Sequence, residues 1–298
     1  MKKENLGLIY AGFTSILWGF LAVFLKFSLV DLDSITIVWF RFSFAFVVLF
    51  SILYFKKNSS ISILKKPPIL IIFAGIALGF NYLFFMLGLN YTNPTITNIV
   101  IQIGPVLLAG VGIYIYKEKV SLKQVFGFIF VIFGFILFLY DQVNNASFIY
   151  KDLNLGLVMI IIAAVSWVLY ASFQKRLSKD YEPQQLNLII YLIPMIMFAP
   201  FANFGSFLNL NQSSTLVLLF LGVNTLLAYG FIGEALKYAP ANKVSVIITL
   251  NPIITITTMA ILDKFNYVWL GKEATSLFGY IGAVLVILGA ILAIYKGK

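Results

Sequence analysis

The chain has 298 residues, of which 61% are hydrophobic and 11% charged, with a formal net charge of +10 and neither cysteine nor histidine. A mean hydropathy of +0.98 excludes an ordinary soluble domain. The missing side chains exclude disulfides, Cys/His metal sites, thiol nucleophiles and imidazole proton relays.

Ten apolar stretches have the roughly 17–25 residues that a helix needs to cross a bilayer. Their cores are 6–30, 35–55, 69–89, 95–116, 123–140, 155–174, 185–203, 215–236, 244–262 and 277–295, which predicts an all-α integral membrane protein with ten transmembrane helices. The first stretch runs past the length of a cleavable leader and keeps bulky Phe24 and Phe27 near its end, so it is expected to remain as a span. Span 1 carries Trp18 and Lys26, span 2 Arg41, and span 3 Asn81 beside Tyr82. Span 4 contains "NIVIQIGPVLLAG", which places Asn98, Gln102 and Pro105 inside an apolar run. Span 6 carries Trp167 and Tyr170, span 8 Tyr229, Glu234 and Lys237, and span 9 Ser245, Thr249 and Pro252.

Basic residues collect on alternate loops. With the N-terminus inside, sixteen face the cytoplasm: Lys2, Lys3, Lys56, Lys57, Lys65, Lys66, Lys117, Lys119, Lys123, Lys175, Arg176, Lys179, Lys237, Lys243, Lys296 and Lys298. Only three, Lys151, Lys264 and Lys272, face outward. This asymmetry orients both termini to the cytoplasm of a cell membrane and argues against nucleic acid as the reason for the basic charge.

The sequence also repeats. At a shift of 149, Trp18 meets Trp167, Ala22 meets Ala171, Phe24 meets Phe173 and Lys26 meets Lys175. At 147, Gly75 meets Gly222, Tyr82 meets Tyr229, Tyr91 meets Tyr238 and Pro105 meets Pro252. At 155, Glu118 meets Glu273, Gly127 meets Gly282, Gly134 meets Gly289 and Tyr140 meets Tyr295. The last change of shift puts an insertion near "DKFNYVWLGK", expected as a longer outer loop. Two units result, 1–145 and 152–298. A unit of five spans starts on one side of the membrane and ends on the other, so its copy inserts upside down. Such inverted repeats suit a carrier that alternates between two packings around a midplane site, with a fused duplication able to work as a monomer.

"SILWGF" in span 1, "WFRF" in span 2, the glycine-rich "FGFIFVIFGFILF" of span 5 and "ALKYAPANKVSVIITLNPI" across spans 8 and 9 resemble the EamA branch of the drug/metabolite transporter superfamily, over essentially the whole chain. The resemblance implies a transporter of small metabolites, often an exporter of amino acids, with a cavity between spans 1, 3, 4, 6, 8 and 9. It leaves amino acids, sugars, nucleotide sugars, amines and xenobiotics all open as substrates. The family's glutamate at the end of span 4 is Glu118, its second-half partner Glu273 is displaced by the insertion, and Arg41 has no basic mate near residues 189–191.

Asn98 and Gln102 lie four apart, on one helical face, and Pro105 frees a backbone carbonyl. The 147 shift carries them to Ser245, Thr249 and Pro252, so each half offers two hydrogen-bonding groups and a proline, readable as a cavity lining or as interhelical glue. Trp18, Trp167, Tyr82, Tyr170, Tyr229 and Asn81 could make an amphipathic pocket or serve as ordinary packing. Lys26 and Arg41 could receive a substrate carboxylate, pair with Asp31 and Asp33 as an outer gate, or snorkel outward. Glu234 is the one carboxylate within a span, either a proton-coupling group or half of a local pair with Lys237. Glu118 reads as a loop charge among lysines. The repeated glycines read as helix-packing contacts.

No phosphate-cradling loop, cofactor motif or metal-ligand set is present, so neither a cofactor nor nucleotide hydrolysis is expected. The leading expectation is a secondary transporter for a small-molecule substrate, an amino acid or related amphipathic compound, moving outward by alternating access. A multidrug, sugar or amine facilitator of the same fold is the alternative, followed by a channel or lipid scramblase. An intramembrane enzyme is disfavoured by the lack of nucleophiles and bases.

Overall fold

The computed structural model describes residues 3–56, 59–118, 120–145, 151–265 and 276–294. The chain forms helices α1 (Lys3–Ser28), α2 (Ser34–Phe55), α3 (Ile69–Tyr91), α4 (Pro94–Val100), α5 (Ile103–Tyr114) and α6 (Leu122–Asn145). A second set follows: α7 (Leu153–Leu177), α8 (Pro183–Phe198), α9 (Gln212–Tyr238), α10 (Ala241–Ile248), α11 (Asn251–Lys264) and α12 (Leu277–Ile294). Among the described residues, nine segments are long and apolar enough to cross a membrane, with α4–α5 and α10–α11 each acting as one; Leu277–Gly289 of α12 is a shorter apolar helix. The ten expected spans are therefore all helical. Most of the "DKFNYVWLGK" insertion, together with Glu273, lies outside the described residues.

Local chemistry sets the ends. Asp33 caps α2 by accepting the N–H groups of Ile35 and Thr36, Asn93 caps α4 ahead of Pro94, and Asn211 caps α9. Glu182 and Gln185 form a capping box on α8. Span 7, expected to reach residue 203, leaves the α-helix at Phe198 and tightens into a 3-10 turn over Ala199–Phe201, where Pro200 has no N–H to continue the ladder.

The fourth and ninth spans are broken in their middles, at Ile101–Gln102 and at Thr249–Leu250. In the first break Pro105 cannot donate to the Ile101 carbonyl, which accepts from the Gly104 N–H at 2.9 Å instead. The breaks thus end three residues before Pro105 and two before Pro252.

The two halves interlock by exchanging equivalent partners. Helix α1 packs on α9 as α7 packs on α3, and α1 meets α11 as α7 meets α5, while α2 meets its own counterpart α8 and α6 its counterpart α12. The contacts repeat in detail. Asn81 on α3 donates to the Ala163 carbonyl on α7 at 2.8 Å; at the equivalent pair of positions, Thr14 on α1 donates to the Ala228 carbonyl on α9 at 3.3 Å. On α6 and α12, a Cβ added to Gly134 would lie 2.6 Å from the Gly282 carbonyl oxygen, and one added to Gly289 would lie 2.6 Å from that of Gly127. Lipid tails offer no hydrophobic force to press helices together, so this backbone-to-backbone approach is what holds the pair. Phe13, Phe73, Phe126 and Phe133 stand exposed on the periphery, as a surface bathed in hydrocarbon requires.

Candidate functional site

Residues related by the duplication meet each other at the centre of the bundle. Trp18 and Trp167 stack edge to face with ring centroids 5.8 Å apart, and Tyr82 and Tyr229 lie 5.6 Å apart. Two residues from equivalent positions can touch only where the pseudo-twofold axis passes, so these four rings mark that axis. A cavity of about 60 Å³ opens there. Its volume holds a few waters.

Seven of the ten expected binding residues line it: Trp18, Asn81, Tyr82, Asn98, Gln102, Trp167 and Tyr229, with Pro105 and Arg41 beside them. Tyr170 is fully buried one layer behind, its ring 5.5 Å from that of Tyr229. The aromatic walls offer flat apolar area, and polar groups enter at a few points, the composition of a site for an amphipathic small molecule.

The polar groups come from the two helix breaks. Gln102 donates through Nε2 to the Asn251 side-chain oxygen at 2.6 Å and to the Asn98 carbonyl at 3.0 Å. Asn98 donates to the Thr255 hydroxyl, which itself donates to the Gly19 carbonyl at 2.5 Å. One chain of hydrogen bonds thus ties α4, the first break, α11 and α1 together across the axis.

Ser245 and Thr249 are not brought to this cavity. Their hydroxyls donate to their own helix, Ser245 to Ala241 at 2.7 Å and Thr249 to Val246 at 2.6 Å, and they face Phe128 and Val131 of α6. Pro252 is buried at the start of α11 and does not line the cavity either. The reason is a one-residue offset. Aligning the prolines sets the shift at 147, but the breaks align at 148, and one residue turns a helical side chain by about 100°. Asn251, two residues beyond Thr249, brings the second half's amide to Gln102; its own signal was an amide directly before the second proline.

Arg41 is buried on α2. Its Nε donates to Thr225 Oγ1 at 2.9 Å, and its Cζ sits 4.3 Å from the centroid of the Tyr82 ring. Lys26, by contrast, is remote from the cavity. Its ammonium donates to the carbonyls of Leu89 at 2.9 Å, Asn90 at 3.3 Å and Thr92 at 2.8 Å, closing the C-terminus of α3. It pairs with neither aspartate, since Asp31 accepts from Ser214 and Asp33 caps α2. Its mate Lys175 does the same for α9 at the opposite end, donating to Leu236 at 3.0 Å and Ala239 at 2.6 Å. Glu234 is also off the cavity, and Lys237 pairs with Glu182 at 2.5 Å rather than with Glu234.

Glu118 is more than a loop charge. The chain turns through a left-handed Lys117 (φ 55°), and the Glu118 carboxylate then accepts the N–H groups of Ala241 at 2.8 Å and Asn242 at 2.9 Å, at the start of α10. Lys175 lies 3.9 Å away. This cluster joins the end of the first half's broken span to the start of the second's and seals the bundle at the end bearing the basic loops.

The geometry agrees with what the chain is similar to. The model of the EamA-like transporter family matches twice, over residues 5–140 and 154–295. An inner membrane transporter of Escherichia coli K12, YhbE, is 31% identical over 295 residues, covering 98% of this chain and 92% of that one. A probable amino-acid metabolite efflux pump of the same strain is 24% identical over 294 residues, covering 94% and 92%. A solved crystal structure shares the fold with a TM-score of 0.71 at 16% identity, covering 96% of each chain. The family and these relatives are membrane transporters rather than enzymes. Two family units matching in tandem, two halves that exchange equivalent helices and a cavity on the axis between them converge on one assignment: the chain is a multi-pass membrane protein belonging to the EamA-like transporter family.

Proposed function

We propose that this chain is a secondary transporter that moves small amphipathic metabolites of the amino-acid type out of the cell by alternating access, as a monomer with both termini in the cytoplasm. The observation that carries the reading is the cavity on the pseudo-twofold axis, with tryptophan and tyrosine walls and the Gln102–Asn251 amide pair between the two helix breaks. A site on that axis is reached equally well by rocking either half, which is what alternation around a fixed site requires. The cavity is too small here for a metabolite with its hydration shell, so a substrate is loaded only when the halves part. The similarity to a probable amino-acid metabolite efflux pump supports the substrate class and the outward direction. The excess of basic residues on one set of loops supports the orientation.

Counterflow tests the reading. Proteoliposomes loaded with unlabelled amino acids and related carboxylates receive each labelled compound in trace amounts outside. Saturable, stereoselective accumulation above protein-free vesicles is expected for one or a few of them. Silence across that panel, with accumulation of a sugar or a lipophilic amine instead, would move the protein to the facilitator reading.

A further inference from the structure

Among the described residues, Arg41 is the one side chain lining the central cavity that carries a charge, and no carboxylate lines it. Arg41 is 2% exposed, one of its terminal nitrogens, Nη2, is buried without a hydrogen-bond partner, and none of the ion pairs among the described residues includes it. Those pairs, Lys175–Glu118, Lys237–Glu182 and Lys243–Glu4, all lie at the end with the basic loops. A guanidinium stays protonated in a protein. A buried positive charge set against a hydroxyl and an aromatic face, with one terminal nitrogen left open, is a costly arrangement, and an ionisable group within a membrane span points to a functional site by default.

The other open positions agree in sign. The Trp167 indole N–H is a second buried donor without a partner, while the amide oxygens on the lining side chains, those of Asn81, Asn98, Gln102 and Asn251, are all neutral acceptors. The cavity thus offers a fixed positive charge and spare donors to a ligand's negative end, and nothing charged to a ligand's ammonium. A zwitterion would bring in a second cation with no counter-ion, and an amine would meet Arg41 as a like charge.

We infer that the site selects a net-anionic carboxylate bearing an apolar or aromatic group over the zwitterion or amine of the same shape. This rests on the transporter reading above and narrows its substrate to acids that lack a free ammonium, such as deaminated or N-acylated amino-acid derivatives. A consequence for energetics follows. Over one full cycle Arg41 returns to where it began, so the net charge moved is the substrate's own. The inside-negative potential of a cell then drives the anion outward, to roughly a fiftyfold concentration ratio per 100 mV. Outward transport of such an acid requires no proton-binding residue in the cavity, in keeping with Glu234 lying away from it.

The test uses three ligands that share a phenylethyl group and differ in charge: 3-phenylpropanoate, phenylalanine and 2-phenylethylamine. Binding to the purified full-length protein is followed by thermal stabilisation. Transport is followed as current from proteoliposomes on a solid-supported membrane, which ignores passive leakage of neutral acid. The expected result is binding of 3-phenylpropanoate at least tenfold tighter than phenylalanine, no binding of the amine, and a current of the sign of an entering anion. Arg41→Gln should cost the anion at least tenfold in affinity and erase its preference over phenylalanine, while Arg41→Lys should keep the order at reduced affinity. Phenylalanine binding as tightly as 3-phenylpropanoate, saturable anion transport without current, or no binding by any of the three would overturn the inference. If Arg41→Gln fails to fold, the ligand order and current of the wild-type protein decide alone. Amino-acid counterflow that persists while the anion is ignored would sink this inference and leave the transporter reading standing; absence of counterflow for every carboxylate and amino acid would sink the reading itself.

Discussion

Replacing Glu118 by alanine should loosen the seal between the two broken spans at the end with the basic loops. In the structure that carboxylate accepts two backbone N–H groups, at 2.8 and 2.9 Å, from the first residues of α10, and it is only 12% exposed. Hydrogen bonds to a charged acceptor stabilise by about 1.5–3 kcal/mol. The Lys175 ammonium adds little, because it is 3.9 Å away and already holds two carbonyls. Under the alternating access proposed above, these bonds part when this end opens, so their loss shifts the balance toward the state open here. Taking the low end, about 3 kcal/mol for the two together, gives a shift of roughly 150-fold. The native chain contains no cysteine, so Ile248→Cys, at a buried position lining the cavity, provides a single reporter. Its labelling by a membrane-impermeant maleimide added to the face with the basic loops should accelerate by at least tenfold in the Glu118→Ala background, with little change from the other face. An unchanged rate would show that the cluster is not part of a gate, and equal acceleration from both faces would point to unfolding of α10 instead.

Other outcomes separate the two polar pairs and the packing seams. Gln102→Leu removes the donor to Asn251 and should cut counterflow about tenfold in a protein that still folds and inserts, since one unsatisfied buried group costs about 1–3 kcal/mol; Thr249→Val, at a position that does not line the central cavity and whose hydroxyl donates only within its own helix, should transport within about twofold of wild type. A Gln102→Leu protein with normal saturation kinetics would remove the amide pair from the site. Gly134→Ala places a methyl 2.6 Å from the Gly282 carbonyl and 2.7 Å from the Val286 nitrogen, where only backbone could yield. It should destabilise the α6–α12 pair by about 1–3 kcal/mol, read as a lower melting temperature in detergent. Gly12→Ala, with open space around it, should leave the melting temperature unchanged or slightly raised, because alanine favours a helix over glycine, and an unchanged or raised melting temperature in Gly134→Ala as well would show that the close approach of α6 and α12 does not limit stability.

The spans were legible because membrane thickness fixes helix length, so apolar runs alone reveal them. The duplication was legible because rare residues such as Trp18 and Trp167 survive in both copies, and it pointed to a site between the halves without saying that these mates would touch. What failed to read through was rotation. Pro105 and Pro252 announce breaks without saying how many residues upstream the helix lets go, and a single-residue difference there is enough to turn Ser245 and Thr249 away from the cavity. The carboxylate of Glu118 was hidden for another reason. Its partners are backbone N–H groups more than a hundred residues away, which no side-chain pattern announces, although its repeat with Glu273 hinted at a role beyond solvation. Lys26 and Lys175 had the same concealment, since both bind carbonyls rather than acids.

The most direct measurement combines transport with a plug in the cavity. Ile248→Cys proteoliposomes are assayed for counterflow of the best substrate before and after alkylation of the cysteine with a bulky maleimide, with and without saturating substrate during alkylation. The account predicts saturable accumulation that alkylation abolishes and that substrate protects. Accumulation that survives complete alkylation would place the substrate's path elsewhere in the protein and contradict it.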